Sequence, residues 1–364
     1  MSELISVVMP VFHGRAHIEE AIRSIRSQTY KNWELLVIHE YGSNDGSAEL
    51  VCQIAKADPR VKLVQNESRL GLAESLNRGI RMAKGGYIAR MDADDLSHPQ
   101  RFEKQVRFLG RHPHISLCGT WQHHFGPNRE WVHQTAVSPQ ACRANLLFSC
   151  DMCHSTVMFR RKDFVDRGLF YHPAYLAEDF ELWSRAVGVL EFSNIPQVLG
   201  EYRWDGDNIT AQKMGKLAKE HAGIVAASLQ RNLELAVCEE EKKLLEGWGN
   251  PFFAQRNRKV RRQMYQDLET LLRKIWKRNE EVYFYEAQAL LRALYAQWRY
   301  AKYREPRNQN QRRAVGCLED IFTKKQYPDY GLLWREYQSR SVSPGADLKR
   351  LVKYLRAGRG NDEW

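Results

Sequence analysis

Apolar residues follow two alternating patterns over roughly the first 210 positions. Short runs rich in β-branched residues predict buried strands, and these are Leu4–Met9, Glu34–Ile38, Val61–Gln65 and Tyr87–Met91. Apolar residues at helical spacing between these runs predict amphipathic helices over residues 17–28, 48–57 and 72–83. Strands that alternate with helices through short connections are typical of a mostly parallel sheet with helices on both faces. We therefore expect an α/β, Rossmann-like fold.

The ends of three predicted strands carry turn-forming and polar residues. They are Pro10–Gly14, Glu40–Ser43 and Asp92–Asp95. Ligands of open parallel sheets bind beyond the carboxyl ends of the strands, so we expect these segments to lie side by side around a ligand.

Asp92, Asp94 and Asp95 crowd three carboxylates into four positions. Like charges this close raise one another's pKa, and a hard divalent cation relieves the repulsion by taking carboxylate oxygens as ligands. The alternative is an acidic turn that caps the helix predicted from Pro99 to Arg111. The sequence has neither a dinucleotide fingerprint nor a Walker loop, so a bound diphosphate needs a metal to balance its charge.

A second acidic pair, Glu178 and Asp179, falls in the first turn of a predicted helix. The helix dipole stabilises carboxylates there, which is a sufficient structural explanation. The alternative is a general base at the mouth of the sheet.

Ile115–Gly119 and Thr156–Phe159 are further predicted strands, separated by a segment rich in tryptophan and histidine. Its histidines lack the spacing of zinc signatures. Cys150–His154 matches the short haem-attachment pattern, but the chain shows no signal peptide, so we expect a structural or acceptor-side role for His154.

Charge divides the 364-residue chain, whose net charge is +11. Residues 1–210 hold 24 Lys plus Arg against 25 Asp plus Glu, whereas residues 211–364 hold 31 against 19. Seven irregularly spaced cysteines fit a reducing compartment, and no apolar run approaches the roughly 18 residues that span a bilayer. We expect a cytoplasmic protein.

Residues 211–364 are predicted to form a basic, all-α C-terminal domain. Apolar positions recur at helical steps at Val260, Met264, Leu268, Leu271, Leu272, Ile275 and Trp276, and again at Phe284, Ala287, Leu291, Leu294 and Trp298. Basic residues occupy the opposite face of the first helix, namely Arg256, Arg258, Lys259, Arg261, Arg262, Arg273 and Lys277. A solvated face, docking to the anionic inner face of the membrane, nucleic-acid binding and a scaffold or homodimer role stay open.

Between residues 4 and 205 the chain resembles the family 2 glycosyltransferases, inverting enzymes of the GT-A fold. The resemblance rests on Ser6–Gly14, Ser24–Trp33, Gly42–Ser47, Leu70–Leu72 with Asn77, Gly79 and Ile80, the Asp92–Asp95 stretch in the place of the DXD motif, Glu178–Asp179, and Tyr202–Arg203. It implies a hexosyl- or N-acetylhexosaminyltransferase that builds surface polysaccharide, lipopolysaccharide or another glycoconjugate. Its donor is a nucleoside-diphosphate sugar, with a UDP-sugar favoured, and its acceptor is a glycan or a lipid-linked glycan.

The resemblance also implies roles for individual residues. Asp94 and Asp92 hold Mn²⁺ or Mg²⁺, Asp179 is the catalytic base, and His154 and Glu178 lie on the acceptor side. Residues at the nucleotide sugar are Pro10, Val11, Phe12, Glu40, Arg69, Asp92, Ala93 and Asp94. The alternatives are a non-catalytic nucleotide-sugar-binding module and a nucleic-acid-binding protein.

Two departures from the family pattern qualify these expectations. Tyr41 stands where the family has a second acid before its glycine-serine turn, so base recognition is expected to differ. The Gln-x-x-Arg-Trp signature of processive relatives is absent, and Tyr202-Arg203-Trp204 matches it only in part. We therefore expect transfer of a single sugar.

Overall fold

One mixed β-sheet forms the centre of the computed structural model, which describes residues 3–127, 130–204, 213–246 and 258–303. Its nine strands within those residues are β1 (Ile5–Val11), β2 (Trp33–His39), β3 (Val61–Gln65), β4 (Tyr87–Arg90), β5 (Leu96–Ser97), β6 (Ile115–Phe125), β7 (Trp131–His133), β8 (Met158–Arg160) and β9 (Glu191–Arg203). The strand order is β3-β2-β1-β4-β8-β6-β9-β5, with β7 paired to β6.

Eleven helices accompany the sheet in the described residues. They are α1 (Ile18–Arg26), α2 (Ser47–Ala57), α3 (Leu72–Met82), α4 (Arg101–Arg111), α5 (Pro139–Asn145), α6 (Arg161–Val165), α7 (Glu178–Ala186), α8 (Met214–Leu233), α9 (Glu239–Leu244), α10 (Arg258–Val282) and α11 (Ala287–Tyr303).

The first four strands in the order, β3, β2, β1 and β4, are parallel. Every residue of β1 and β2 is buried, because both strands are covered on two faces and carry nearly continuous apolar runs. The register pairs Val11 with His39 and Val8 with Arg90, so β1, β2 and β4 end at one edge. The prediction that these strand ends lie side by side is confirmed.

The other half of the sheet mixes parallel and antiparallel pairs, and here two predicted boundaries are wrong. Strand β6 continues to Phe125 rather than ending at Gly119, because its polar residues pair with both β7 and β9. Strand β8 begins at Met158 rather than Thr156, since His154–Thr156 form a 3₁₀ turn. The Thr156 hydroxyl donates to the Cys153 and Thr120 carbonyls, at 2.9 and 3.3 Å, and holds that turn.

The predicted helical character of the C-terminal region is confirmed for its described part. All predicted apolar positions of α10 are buried except Val260, which is 40% exposed. Helix α8 packs against α7, where the His221 ring stacks on Phe180, and His221 Nε2 lies 2.6 Å from the Phe148 carbonyl oxygen. The described helices thus group with the sheet in one unit, and a domain boundary near residue 210 stays a prediction.

The basic face of α10 is partly described. Lys259, Arg262 and Lys277 are exposed and Arg273 is partly exposed, whereas Arg256 lies outside the described residues. Across the described ranges, the search for a helix with the length and hydropathy to traverse a bilayer finds none.

Candidate active site

The carboxyl ends of β1 and β2 form one edge of the site. Pro10 and Val11 close β1, and Phe12 follows with 42% of its surface exposed. The Arg69 guanidinium lies 4.8 Å from the centre of the Phe12 ring, a cation–π contact. Four of the predicted nucleotide-sugar residues therefore meet at this edge.

Glu40, at the end of β2, is buried and binds its own chain. Its carboxylate accepts hydrogen bonds from the N–H groups of Tyr41, Leu70 and Gly71 at 2.8, 3.0 and 2.5 Å, and from Asn66 Nδ2 at 3.3 Å. Burial alone raises the pKa of Glu40, but these bonds outweigh it and lower the pKa. Glu40 therefore holds the loop that follows Arg69 against the end of β2.

The Asp92–Asp95 loop connects β4 to β5 at the same edge. Asp92 forms an ion pair with Arg90, whose side chain is only 4% exposed. Asp95 is almost fully buried, and its carboxylate accepts from the Arg203 N–H at 3.0 Å. Arg203 Nε also donates to the Asp94 carbonyl oxygen at 3.1 Å, so the last residue of β9 fastens this loop.

The acidic pair occupies the first turn of α7, as predicted. Asp179 Oδ1 accepts from the Phe180 N–H at 2.7 Å, and Oδ2 accepts from the Cys150 thiol at 3.3 Å. Glu178 Oε1 lies 3.8 Å from His154 Nδ1, and the other nitrogen of that ring lies 2.9 Å from the Tyr171 hydroxyl. The structure thus brings the predicted base and both predicted acceptor-side residues together.

Electrostatic interactions link the acidic pair to the Asp92–Asp95 loop, and we call the region around these two acidic groups the cleft. Burial raises the pKa of Glu178, and the charges of Asp179 and Asp92 raise it further. Burial likewise raises the pKa of Asp179, while the Arg90 charge acts to lower the pKa of both carboxyls. Burial and the Arg90 charge together lower the pKa of His154 well below its usual value, so its imidazole is neutral near pH 7.

Glu220 supports the acidic pair from outside the sheet. Its Oε2, on α8, accepts from the N–H groups of Leu176 and Ala177 at 2.7 and 3.2 Å, immediately before Glu178. These amides precede the first turn of α7, so the contact orients the turn that carries both carboxylates.

Three residues of this site escaped the sequence analysis. The only sequence indication of a role for Arg90 is that it places a charge within the apolar run before Asp92. Cys150 was noticed only as part of the haem-like pattern, and Glu220 was not noticed at all. Their contacts could not be inferred, because their partners are 29 and 43 or more residues away in the chain.

The residues present fit a shared metal site. Asp92 and Asp94 supply carboxylate oxygens, the ligands that Mg²⁺ and Mn²⁺ prefer. Within the described ranges, the structure gathers no group of three or more His, Cys, Asp or Glu side chains that could hold a metal. Asp92 and Asp94 are thus the side chains that could hold a divalent cation, and Asp92 also pairs with Arg90.

Comparison with known proteins gives consistent matches. The sequence model described as Glycosyl transferase family 2 matches residues 6–169. An uncharacterised glycosyltransferase of Haemophilus influenzae is 30% identical over 57% of this chain and 68% of its own length. The O-antigen biosynthesis glycosyltransferase WbnJ of Escherichia coli is 30% identical over 55% of this chain and 80% of its own length.

A solved structure extends the likeness to the fold. Staphylococcus aureus TarS 1-349 in complex with UDP-GlcNAc superposes with a TM-score of 0.54 at 15% identity, over 82% of this chain and 89% of that one. The sheet and its helices are thus those of a GT-A transferase, as predicted. The chain belongs to glycosyl transferase family 2 and is a glycosyltransferase.

Proposed function

We propose that this glycosyltransferase moves one sugar from a nucleoside-diphosphate donor to an acceptor hydroxyl with inversion at the anomeric carbon. The observation that carries the proposal is the electrostatic interaction between the two acidic groups of the cleft, the Asp92–Asp95 loop and Glu178–Asp179. The Arg90 guanidinium pairs with the first group, and its charge acts on the second. Such a cleft suits a reaction that stabilises a departing phosphate and removes a proton from the acceptor.

Asp179 is the proposed base. Its raised pKa brings the carboxylate nearer to the range in which a general base works at neutral pH. The Phe180 N–H and the Cys150 thiol hold its two oxygens and thereby fix its orientation. One base suffices when the leaving group is a diphosphate assisted by a cation, whereas a glycosidase needs a second carboxylic acid for its leaving oxygen.

On the donor side, Asp92 and Asp94 would hold the divalent cation. When bound, this cation neutralises the charge that develops on the leaving diphosphate. The nucleoside lies against Pro10, Val11 and Phe12 in this proposal. Glu40 acts on it indirectly through the loop that it holds, since its oxygens already accept four hydrogen bonds from the chain.

The name of the Escherichia coli relative refers to O-antigen biosynthesis. In this proposal the acceptor likewise belongs to a surface polysaccharide, lipopolysaccharide or similar glycoconjugate. A lipid-linked acceptor would bring the enzyme to the inner face of the membrane. The exposed Lys259, Arg262 and Lys277 supply positive charge for anionic headgroups there. Sedimentation with phosphatidylglycerol vesicles, but not with phosphatidylcholine vesicles, tests this part of the proposal.

Turnover of UDP-sugars and GDP-mannose, each with Mn²⁺, with Mg²⁺ and with EDTA, tests the central proposal. We expect nucleoside diphosphate release that stops in EDTA, and a product of opposite anomeric configuration by proton NMR. Turnover unaffected by EDTA contradicts the metal, a retained configuration contradicts the mechanism, and no turnover with any donor and acceptor contradicts the catalytic assignment.

A further inference from the structure

Three side chains on neighbouring strands form what we call the aromatic row, which consists of Trp131 on β7, His124 on β6 and Tyr202 on β9. His124 is the direct cross-strand partner of both other residues. Its ring centre lies 4.5 Å from that of Trp131 and 4.8 Å from that of Tyr202. Directly paired residues share a face of the sheet, so the three rings form a continuous strip.

Two further rings extend the aromatic row on the same face. The His133 ring centre lies 5.6 Å from that of His124, and the Trp204 ring centre lies 5.9 Å from that of Trp131. All five side chains are partly exposed. By contrast, the core aromatic cluster around Trp183, with Phe159, Phe164 and Phe192, is at most 1% exposed. Packing inside the core therefore does not account for the aromatic row.

The aromatic row leads directly to the proposed base. Gln122 is two residues before His124 and so shares its face. Gln122 Nε2 donates to the Ser155 hydroxyl at 2.6 Å, and Ser155 follows His154, the neighbour of Glu178. On β9, Arg203, which directly follows Tyr202, donates its N–H to the Asp95 carboxylate at 3.0 Å and its Nε–H to the Asp94 carbonyl oxygen at 3.1 Å. The charges of Asp92, Asp95 and Asp94 also act to raise the pKa of Tyr202. The strip therefore adjoins both acidic groups of the cleft.

Its place in the sheet puts the aromatic row on the acceptor side. Strands β6 and β9 lie across β4 and β8 from β1 and β2, whose ends carry the proposed nucleoside contacts. A ligand on the row would thus lie on the other side of β4, whose end carries Asp92, from the proposed nucleoside contacts.

We propose that the aromatic row binds a pyranose ring of the acceptor glycan. This inference rests on the proposed function and deepens it. A pyranose ring presents C–H bonds on its faces and hydroxyl groups around its rim. The faces of Trp131 and Tyr202 carry the negative side of the aromatic quadrupole, which attracts C–H groups, and the phenol of Tyr202 can hydrogen-bond to a hydroxyl.

Saturation-transfer NMR tests this binding without turnover. The full-length protein, with uridine diphosphate and Mg²⁺, which is diamagnetic and leaves the ligand signals sharp, is titrated with methyl glycosides and disaccharides of glucose, galactose and N-acetylglucosamine. We expect at least one sugar to bind, with strongest saturation at the C–H protons of one ring face. Trp131→Ala should weaken that binding about tenfold, while Trp131→Phe, which keeps a ring, should retain most of it.

His123→Ala and Val132→Ala are the matched controls. Both residues neighbour the aromatic row in sequence but alternate to the opposite face, where His123 pairs with Glu130 at 2.8 Å. We expect both controls to bind sugar as the wild type does. Melting temperatures close to the wild-type value establish that the sheet of each variant is intact.

The outcomes separate this inference from the proposed function. Donor hydrolysis by the wild type without acceptor is measured first, and its absence with every donor, together with no transfer, counts against the proposed function. If donor hydrolysis is observed, either of two results contradicts the proposal that the aromatic row binds the acceptor glycan. One is that no sugar of the panel saturates, and the other is that Trp131→Ala binds sugar as tightly as the controls.

Discussion

The carboxylates in and next to the loop after β2 and those around the proposed base have their pKa values shifted in opposite directions. On the donor side, Glu40 and Asp45 accept hydrogen bonds from loop N–H and hydroxyl groups, and these lower their pKa values despite partial burial, to about 2 for Asp45. On the base side, burial raises the pKa values of Glu178, Asp179 and Asp151, to about 6 for Asp151. Glu40 and Asp45 thus keep a fixed negative charge, whereas Glu178 and Asp151 can exchange protons near neutral pH. Asp95, in the loop after β4, resembles the second group because burial raises its pKa.

Replacement of the proposed base should have the largest effect. Asp179→Asn keeps the shape of the side chain but cannot accept the acceptor's proton, so we expect kcat to fall by about a hundredfold to ten thousandfold. Nucleotide binding, followed by calorimetry, should persist. Glu178→Gln is the control, with a smaller loss of kcat, and a reversal of the two results would make Glu178 the base.

The second largest effect should follow from removal of the Glu220 side chain, through which α8 supports the base side. Glu220→Ala leaves the N–H groups of Leu176 and Ala177 without their acceptor, which costs about 1–3 kcal/mol of unfolding free energy. Because α7 is less well oriented, we also expect about tenfold lower kcat with donor affinity unchanged. Glu239→Ala, on the exposed start of α9, should alter neither quantity. Equal kcat in the two variants would show that α8 does not position the base.

A smaller change should follow from the thiol beside the base. The Cys150 hydrogen bond acts to lower the pKa of Asp179. Its removal in Cys150→Ala should raise that pKa and move the acid limb of the kcat profile to higher pH. Cys150→Ser, which keeps a donor, should leave the limb near or below the wild-type position, and Cys52→Ala, at an exposed cysteine, should not move it. An acid limb that moves to lower pH in Cys150→Ala would contradict the role of the thiol.

The smallest effects concern stability, and they should have opposite signs on the two sides. The pKa of Asp45 falls from 3.8 to about 2 in the folded protein, so its contribution is present above pH 3.8 and is lost as the pH falls towards 2. Asp45→Asn should therefore lower the melting temperature at neutral pH and lower it less in acid.

The pKa of Asp151 rises from 3.8 to about 6, so the wild type loses stability as the pH climbs through that range. In Asp151→Asn the amide oxygen can still accept from the Ala136 N–H. Between pH 4 and 7 the melting temperature of this variant should therefore fall less than that of the wild type. Melting curves across this range measure both variants. Parallel curves for the two variants would remove the contrast between the two sides.

The donor side was more accessible to sequence reasoning than the base side. Its strands are continuous apolar runs, and the positions of Pro10, Glu40 and Asp92 follow from where those runs end. Local pattern carries that information, because each residue lies at the end of its own strand.

The base side depends on contacts between residues far apart in the chain. Cys150 meets Asp179 across 29 positions, and Glu220 meets Ala177 across 43. The extension of β6 to Phe125 was also missed, because its alternating polar residues gain their partners only from β7 and β9. Neither the periodicity nor the spacing of residues in the sequence identifies contacts of this kind. The roles of the predicted site residues stay predictions that the variants above test.

The hydrogen bonds from Leu176 and Ala177 to Glu220 bear on how this scaffold can be recombined. A chimera that joins the sheet of one transferase to the C-terminal helices of another replaces the acceptor of those two amides while keeping the amides themselves. Such an exchange should preserve turnover only when the crossover transplants the segment ahead of α7 together with α8. Whether a chimera keeps a correctly oriented base thus depends on the contact between α8 and the segment ahead of α7. The crossover point should be chosen by that contact and not by the position of a loop between strands.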